Sequence, residues 1–151
     1  MIRSGWVGLL MVSGIWAQGN MQERLNALVD SLAANSVVRM DILQIPAEVT
    51  TRTRMSAQML ERQFHYRLTI GDVRLWSGKD SLTAALRSVR VKPGEPADLR
   101  WGLIFYALNG RRVESLYFDG DGASAQLGDV PAVLEGKLFS WIRERFAGVF
   151  E

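Results

Sequence analysis

Cysteine is absent from this 151-residue chain, and histidine occurs once, at His65. Without cysteine the chain forms no disulfide framework, thiolate zinc site, iron–sulfur cluster or cysteine nucleophile, and it carries no lipid on sulfur. With one imidazole it supplies no site that needs two from a single chain. A marked charge of one sign is also missing. The 18 Lys+Arg stand against 16 Asp+Glu, an excess too small for a polybasic surface, so nucleic acid is not an expected partner. No G-x-G-x-x-G or P-loop follows any predicted strand, there is no helix-borne H-E-x-x-H, and no G-x-S-x-G elbow is present. No cofactor and no metal is expected on these grounds.

What is present is ordinary globular usage. The chain is 48% hydrophobic and 23% charged, which argues against disorder and against a polytopic membrane protein. Its length suits one domain, and a second independent core is not expected.

The N-terminus departs from the rest. Arg3 is the only charge before Glu23, and Gly5 to Ala17 (GWVGLLMVSGIWA) is uncharged. A short positive region followed by an apolar core is the pattern of a secretory signal. As a helix these residues reach only about 20 Å, against about 30 Å of hydrocarbon to be crossed. Gln18, Gly19, Asn20 and Gln22 then read as the region after cleavage, because amides in hydrocarbon are costly. Residues 1–17 are therefore expected to be a signal peptide cleaved after Ala17, and 18–151 a single domain placed in the periplasm or secreted. An uncleaved N-terminus would instead make this a membrane-tethered structural protein. Removal of residues 1–17 takes away one cation, Arg3, and leaves the charge near neutral.

From Asn20 the spacing of Met21, Leu25, Leu28, Val29 and Leu32 predicts a helix, with Asn20 as its cap, Glu23 returning to that cap, and Asn35 as a left-handed stop. Val38, Met40 and Ile42 alternate with Arg39 and Asp41 as in a half-buried strand, with a phase slip and a bulge expected near Leu43 before Pro46. Glu48 to Arg54 reads as exposed loop or edge strand, and Ser56 to Gln63 as a short helix. Phe64, Tyr66, Leu68 and Ile70 alternate with His65, Arg67 and Thr69 as a second strand. A brief strand at Val73 and Leu75 and a helix capped by Asp80 follow, and Lys92 to Pro96 breaks the chain.

Leu99 to Leu108 is apolar on both parities from Leu103, as in a central strand, and Asn109-Gly110 is a strong two-residue hairpin turn. A return strand over Arg111 to Phe118, short strands around Ala123 to Leu127 and Val130 to Leu134, and a final helix striped by Leu138, Ile142, Phe146 and Val149 complete the pattern. The expected fold is α+β. It is an antiparallel β-meander of about five to seven strands with an N-terminal helix, one or two short middle helices and a C-terminal helix packed on one face.

Three groups of residues bear on chemistry. His65, Arg67 and Thr69 share a strand face and could line a groove that binds an anion or orients a water; otherwise His65 is an exposed strand histidine. Asp119 and Asp121 resemble the opening of a calcium loop. Ala123 stands where a third oxygen ligand belongs and Val130 where the bidentate Glu belongs, so a hairpin built from Asp-Gly pairs explains them without metal. Arg52, Arg54, Arg62, Arg67 and Arg74 outnumber Glu61 and Asp72, although spacing does not show whether they converge.

The expected function is a non-enzymatic binding domain of the bacterial cell envelope. It would be of inhibitor, immunity or accessory type and would engage another protein or an envelope component through a sheet face or edge, with homodimerisation left open. The competing expectation is a small hydrolase or lyase using His65 with Asp72, Asp119 or Asp121.

Overall fold

A computed structural model describes residues 7–150, with side chains from Gln18 onward except at position 147. The positive start of the expected signal peptide, Met1 to Arg3, lies outside the described residues. In chain order the elements are α1 (Val7–Ala33), β1 (Arg39–Gln44), α2 (Ala57–Gln63), β2 (Tyr66–Ile70), α3 (Lys79–Arg87), β3 (Arg90–Pro93), β4 (Leu99–Tyr106), β5 (Arg112–Asp119), β6 (Ala125–Leu127), β7 (Val130–Glu135) and α4 (Leu138–Phe146), followed by a 3₁₀ turn, Ala147–Val149. The fold is α+β. All seven strands form one antiparallel sheet in the order β2-β1-β4-β5-β6-β7-β3. The meander is confined to β4–β7. The β1–β2 pair extends it beside β4, and β3 closes the far side.

Helix α1 starts earlier than its sequence pattern suggests. Asn20 is inside it rather than capping it, because once a helix is running each further residue adds a hydrogen bond at little cost, and no proline interrupts this stretch. The stop is where expected. Asn35 has φ 59°, and Ser36 N–H donates to Ser31 O at 2.9 Å, the long closing bond of a Schellman turn. No helix among the described residues is long and apolar enough to cross a membrane.

The main core lies on one sheet face. Met21, Leu25, Leu28 and Leu32 of α1, Leu82 and Leu86 of α3, and Leu138, Ile142 and Phe146 of α4 pack there on Met40, Ile42, Leu103, Phe105, Leu116 and Phe118. Helix α2 occupies the opposite face, where Leu60 joins Ile45, Met55, Leu99 and Tyr117 in a second cluster. Gly102 makes this possible, since a Cβ there would lie 3.2 Å from the Tyr117 ring. The strands between the two clusters are buried on both parities, and β4 is buried from Leu99 to Phe105.

Burial on both faces also accounts for the apparent phase slip at Leu43. No bulge occurs there; β1 is regular against both neighbours, and the register shifts fall between β4 and β5. Val73 and Leu75 form a turn, not a strand, because the Asp72 side chain accepts the Arg74 N–H at 3.0 Å and holds its guanidinium. Leu75 is left 86% exposed. Gly78 occupies the cap position of α3, and Asp80 instead places its charge in the first turn. Val149 falls beyond the end of α4 and is exposed, since the 3₁₀ turn rotates it off the apolar stripe.

Candidate functional site

The two margins of the sheet differ, and the difference follows from particular side chains. At β3, Gln18 Nε2 donates to Val91 O at 3.1 Å and Gln22 Nε2 to Val89 O at 3.4 Å, while Gln22 Oε1 accepts the Val91 N–H at 2.9 Å. Helix α1 thus covers the backbone groups of that edge. At β2 no such cover exists among the described residues, where its backbone bonds run only to β1. Ile45 N–H bonds to Arg100 O of β4 at 2.9 Å. Alternation along β1 then directs Gln44, Ile42 and Met40 toward β2, and it turns the N–H and C=O groups of Arg67 and Thr69 outward, unpaired.

The side chains of β2 divide by parity. Tyr66, Leu68 and Ile70 lie on the face of the main core and are only partly covered. On the other face Thr69 is directly opposite Asp41 of β1. Asp41 is 2% exposed. Arg67 Nη2 donates to its Oδ2 at 2.7 Å and Thr69 Oγ1 to its Oδ1 at 2.8 Å, with Arg39 Nε 3.8 Å from the same Oδ1. The Arg39 guanidinium lies 4.0 Å from the centre of the Tyr106 ring, where the ring quadrupole attracts it.

Arg67 and Thr69 are therefore brought together, by a carboxylate that alternation alone had assigned to solvent. His65 does not join them. It sits one residue before β2, and its ring makes no hydrogen bond or ion pair among the described residues; it lines a shallow cleft with Thr51, Thr53, Met55, Met59 and Gln63. Asp72 is held by Arg74. The five arginines do not converge: Arg54 reaches Pro96 O, Arg67 reaches Asp41 and Arg74 reaches Asp72.

Asp119 and Asp121 are adjacent in the β5–β6 turn. Asp121 accepts the Ala123 N–H at 3.0 Å, which with its bond from Asp119 keeps its carboxyl low. Burial, and then the neighbouring Asp121, push the Asp119 carboxyl up. Among the described residues no group of three or more His, Asp or Glu is placed to hold a metal ion. A folded-state carboxyl that is raised contributes stability below the ordinary carboxylate range and loses it as pH rises through the folded value. Asp119→Asn is thus expected to raise the melting temperature at pH 7, with the gain disappearing near pH 3; thermal melts at both pH values check it.

At the Tyr66 end of β2 the sheet opens into a cleft of about 370 Å³. Gln44 pairs with Tyr66 on one side and Trp101 on the other, so these three form a row across its floor. Phe150 lies over the row, its ring centre 5.6 Å from that of Tyr66 and 5.9 Å from that of Trp101. Phe146 and Arg143 of α4 complete one wall. Arg100 forms part of the other and is fixed there, bonded to Asp98 at 2.9 and 2.7 Å and to Val49 O at 2.8 Å. Sequence reasoning missed Gln44, which stands in no motif.

The class these features define is an α+β domain with one sheet margin blunted and the other uncovered among the described residues, the latter ending in an aromatic cleft. Comparison of the chain with protein-family models, with curated proteins and with solved structures found no match.

Proposed function

We propose that this chain is a non-enzymatic binding domain of the bacterial cell envelope that takes an extended segment of another protein onto the free edge of β2. The asymmetry of the two margins carries this reading. Exposed edges invite unwanted pairing, and proteins usually blunt them; here α1 blunts β3 with two glutamine side chains while β2 has no cover among the described residues. Strand addition at such an edge supplies affinity through backbone bonds and specificity through alternate side chains. The docked segment would meet Tyr66, Leu68 and Ile70 on one parity and the Arg67 guanidinium on the other. Its own pattern is accordingly apolar on one parity and acidic on the next. The uncharged run Gly5 to Ala17 after Arg3 supports placement outside the cytoplasm.

A peptide alternating valine and glutamate tests the edge. Thr69→Pro removes one outward N–H without taking a bond from the β1 ladder, a position where an edge strand tolerates proline. Thr69→Val keeps that N–H and loses only the hydroxyl. The peptide is expected to protect the Arg67 and Thr69 amides from hydrogen exchange, and to bind Thr69→Val within about threefold of the parent but Thr69→Pro at least about tenfold more weakly, one lost bond costing on this order. Equal binding to both variants, or protection elsewhere, overturns the reading. His65→Ala should leave binding unchanged.

A further inference from the structure

We infer that the cleft at the Tyr66 end of β2 is a binding site for an aromatic ring that carries a hydrogen-bond donor, an indole or a phenol, and that Phe150 is its resident stand-in. The inference rests on the edge reading only for how such a ring would arrive, as a side chain of the docked segment; the pocket itself stands on its own geometry.

Two independent observations point to this ligand. The first is that the cleft already holds an aromatic ring. Phe150 belongs to no regular element and follows the 3₁₀ turn, yet its ring lies against both Tyr66 and Trp101 and spans the glutamine between them. The walls are thus spaced for a planar group. The second is an unmet hydrogen bond beneath it. Gln44 Oε1 is shielded from solvent and has no hydrogen-bond partner among the described residues. A buried acceptor left unpaired is costly, and a phenyl ring, having no donor, cannot relieve it. An indole N–H or a phenol O–H of similar shape can. The site therefore discriminates by a polar atom: a cavity built to bond a donor rejects the isostere that lacks one more strongly than a purely apolar cavity could.

The exchange requires only that Phe150 leave. It is half-buried, and its removal takes no hydrogen bond from the sheet. Ligand binding and Phe150 seating are then competing states of one cleft, and the apparent affinity of the parent protein is reduced by the fraction of molecules in which Phe150 is seated.

Indole and its sulfur isostere benzothiophene are matched in shape and differ in the N–H, and neither can pair with a strand edge. Titrations followed by NMR are expected to show indole binding to Phe150→Ala about tenfold more tightly than benzothiophene, the usual scale of one buried hydrogen bond, with shifts at Tyr66 and Gln44. The parent should show the same preference with both affinities weakened. In Gln44→Leu the two probes should bind alike. Equal affinities in Phe150→Ala, a preference that survives Gln44→Leu, shifts confined to other parts of the molecule, or no binding of either probe to parent and variant would each overturn the inference. Such a failure leaves the Thr69 comparison untouched, and failure of that comparison leaves indole binding in place, so the two readings fall separately.

Discussion

Replacing Leu25 by alanine is expected to lower the unfolding free energy by about 3 kcal/mol, in the range found for fully buried leucines. Leu25 is 0% exposed, within the cluster that joins α1 to the sheet. The cost has two parts, the transfer of the lost methyl and methylene groups and the cavity that surrounding residues cannot fill. Asn26, one residue on, is exposed, and Asn26→Ala should change stability by less than about 0.5 kcal/mol. Urea denaturation checks the pair, the midpoint falling for Leu25→Ala at unchanged slope. A loss below about 1 kcal/mol would show that α1 is an appendage and not part of the core. The prediction bears on the N-terminus as well. Among the described side chains Gln18 is the first to bond to the sheet, Gln22 follows at the Val91 N–H, and Arg24 then makes two bonds to Glu114 at 3.0 and 2.8 Å. Cleavage after Ala17, as we propose, would leave all of these contacts in place.

The second large effect concerns the network under α2. Glu61 accepts two bonds from Arg112, at 2.8 and 3.0 Å, and one from the Tyr117 hydroxyl. Burial alone would push the Glu61 carboxyl up, but the bonds from Arg112 and Tyr117 and the Arg112 charge together hold it below the usual carboxylate range. Burial first, and then Glu61, raise the Tyr117 hydroxyl from 10.0 to about 12. Arg112 is 43% exposed, so the ion pair itself is worth little after solvent screening. The larger cost of Glu61→Ala is that the Tyr117 hydroxyl, on a residue 1% exposed, loses its acceptor, about 1–2 kcal/mol, for a total of about 2 kcal/mol. Tyr117→Phe should cost about half as much, because it removes the donor together with its need.

The same network sets opposite slopes at the two ends of the pH scale. Glu61, with a lowered carboxyl, contributes stability above the ordinary carboxylate range and loses it as pH falls through the folded value. Tyr117, with a raised hydroxyl, contributes below its ordinary value of 10.0 and loses the contribution as pH rises through about 12. Stability measured from pH 9 to 12 should therefore fall in the parent and lack this component in Tyr117→Phe. An identical alkaline profile for both would show that the phenol titrates as if exposed.

Much of the fold is legible in short stretches. Asn109-Gly110 marks the β4–β5 turn, but not as the two-residue turn it suggests: Gly110 N–H donates to Ala107 O at 3.0 Å, Leu108 and Asn109 are the central pair, and Gly110 alone is left-handed, at φ 80°. Asn35 ends α1 at φ 59° because asparagine is one of the few residues with a side chain that tolerates the left-handed region. The both-parity run from Leu103 announces a strand covered on two sides, and Leu138, Ile142 and Phe146 announce the face of α4. The site is less legible. Arg67 and Thr69 stand out as a polar pair, but Asp41, which unites them, looks like one more outward charge. Gln18 and Gln22 look like polar residues following a cleavage site, and in the fold they seal an edge. Gln44 has no local mark at all.

The division has one physical cause. Periodicity, turn chemistry and helix stops depend on neighbours within a few positions along the chain, so the amino-acid order by itself determined that this protein is a mixed domain with a central two-sided strand, these turns and these helical faces. Strand order and register depend on partners dozens of residues away, and a register shift of one residue exchanges the faces of a whole strand. The tertiary structure alone decided that α2 lies opposite the other helices, that Asp41 is buried beneath Arg67, that Gln44 falls between Tyr66 and Trp101, and that β2 is the edge without a partner among the described residues.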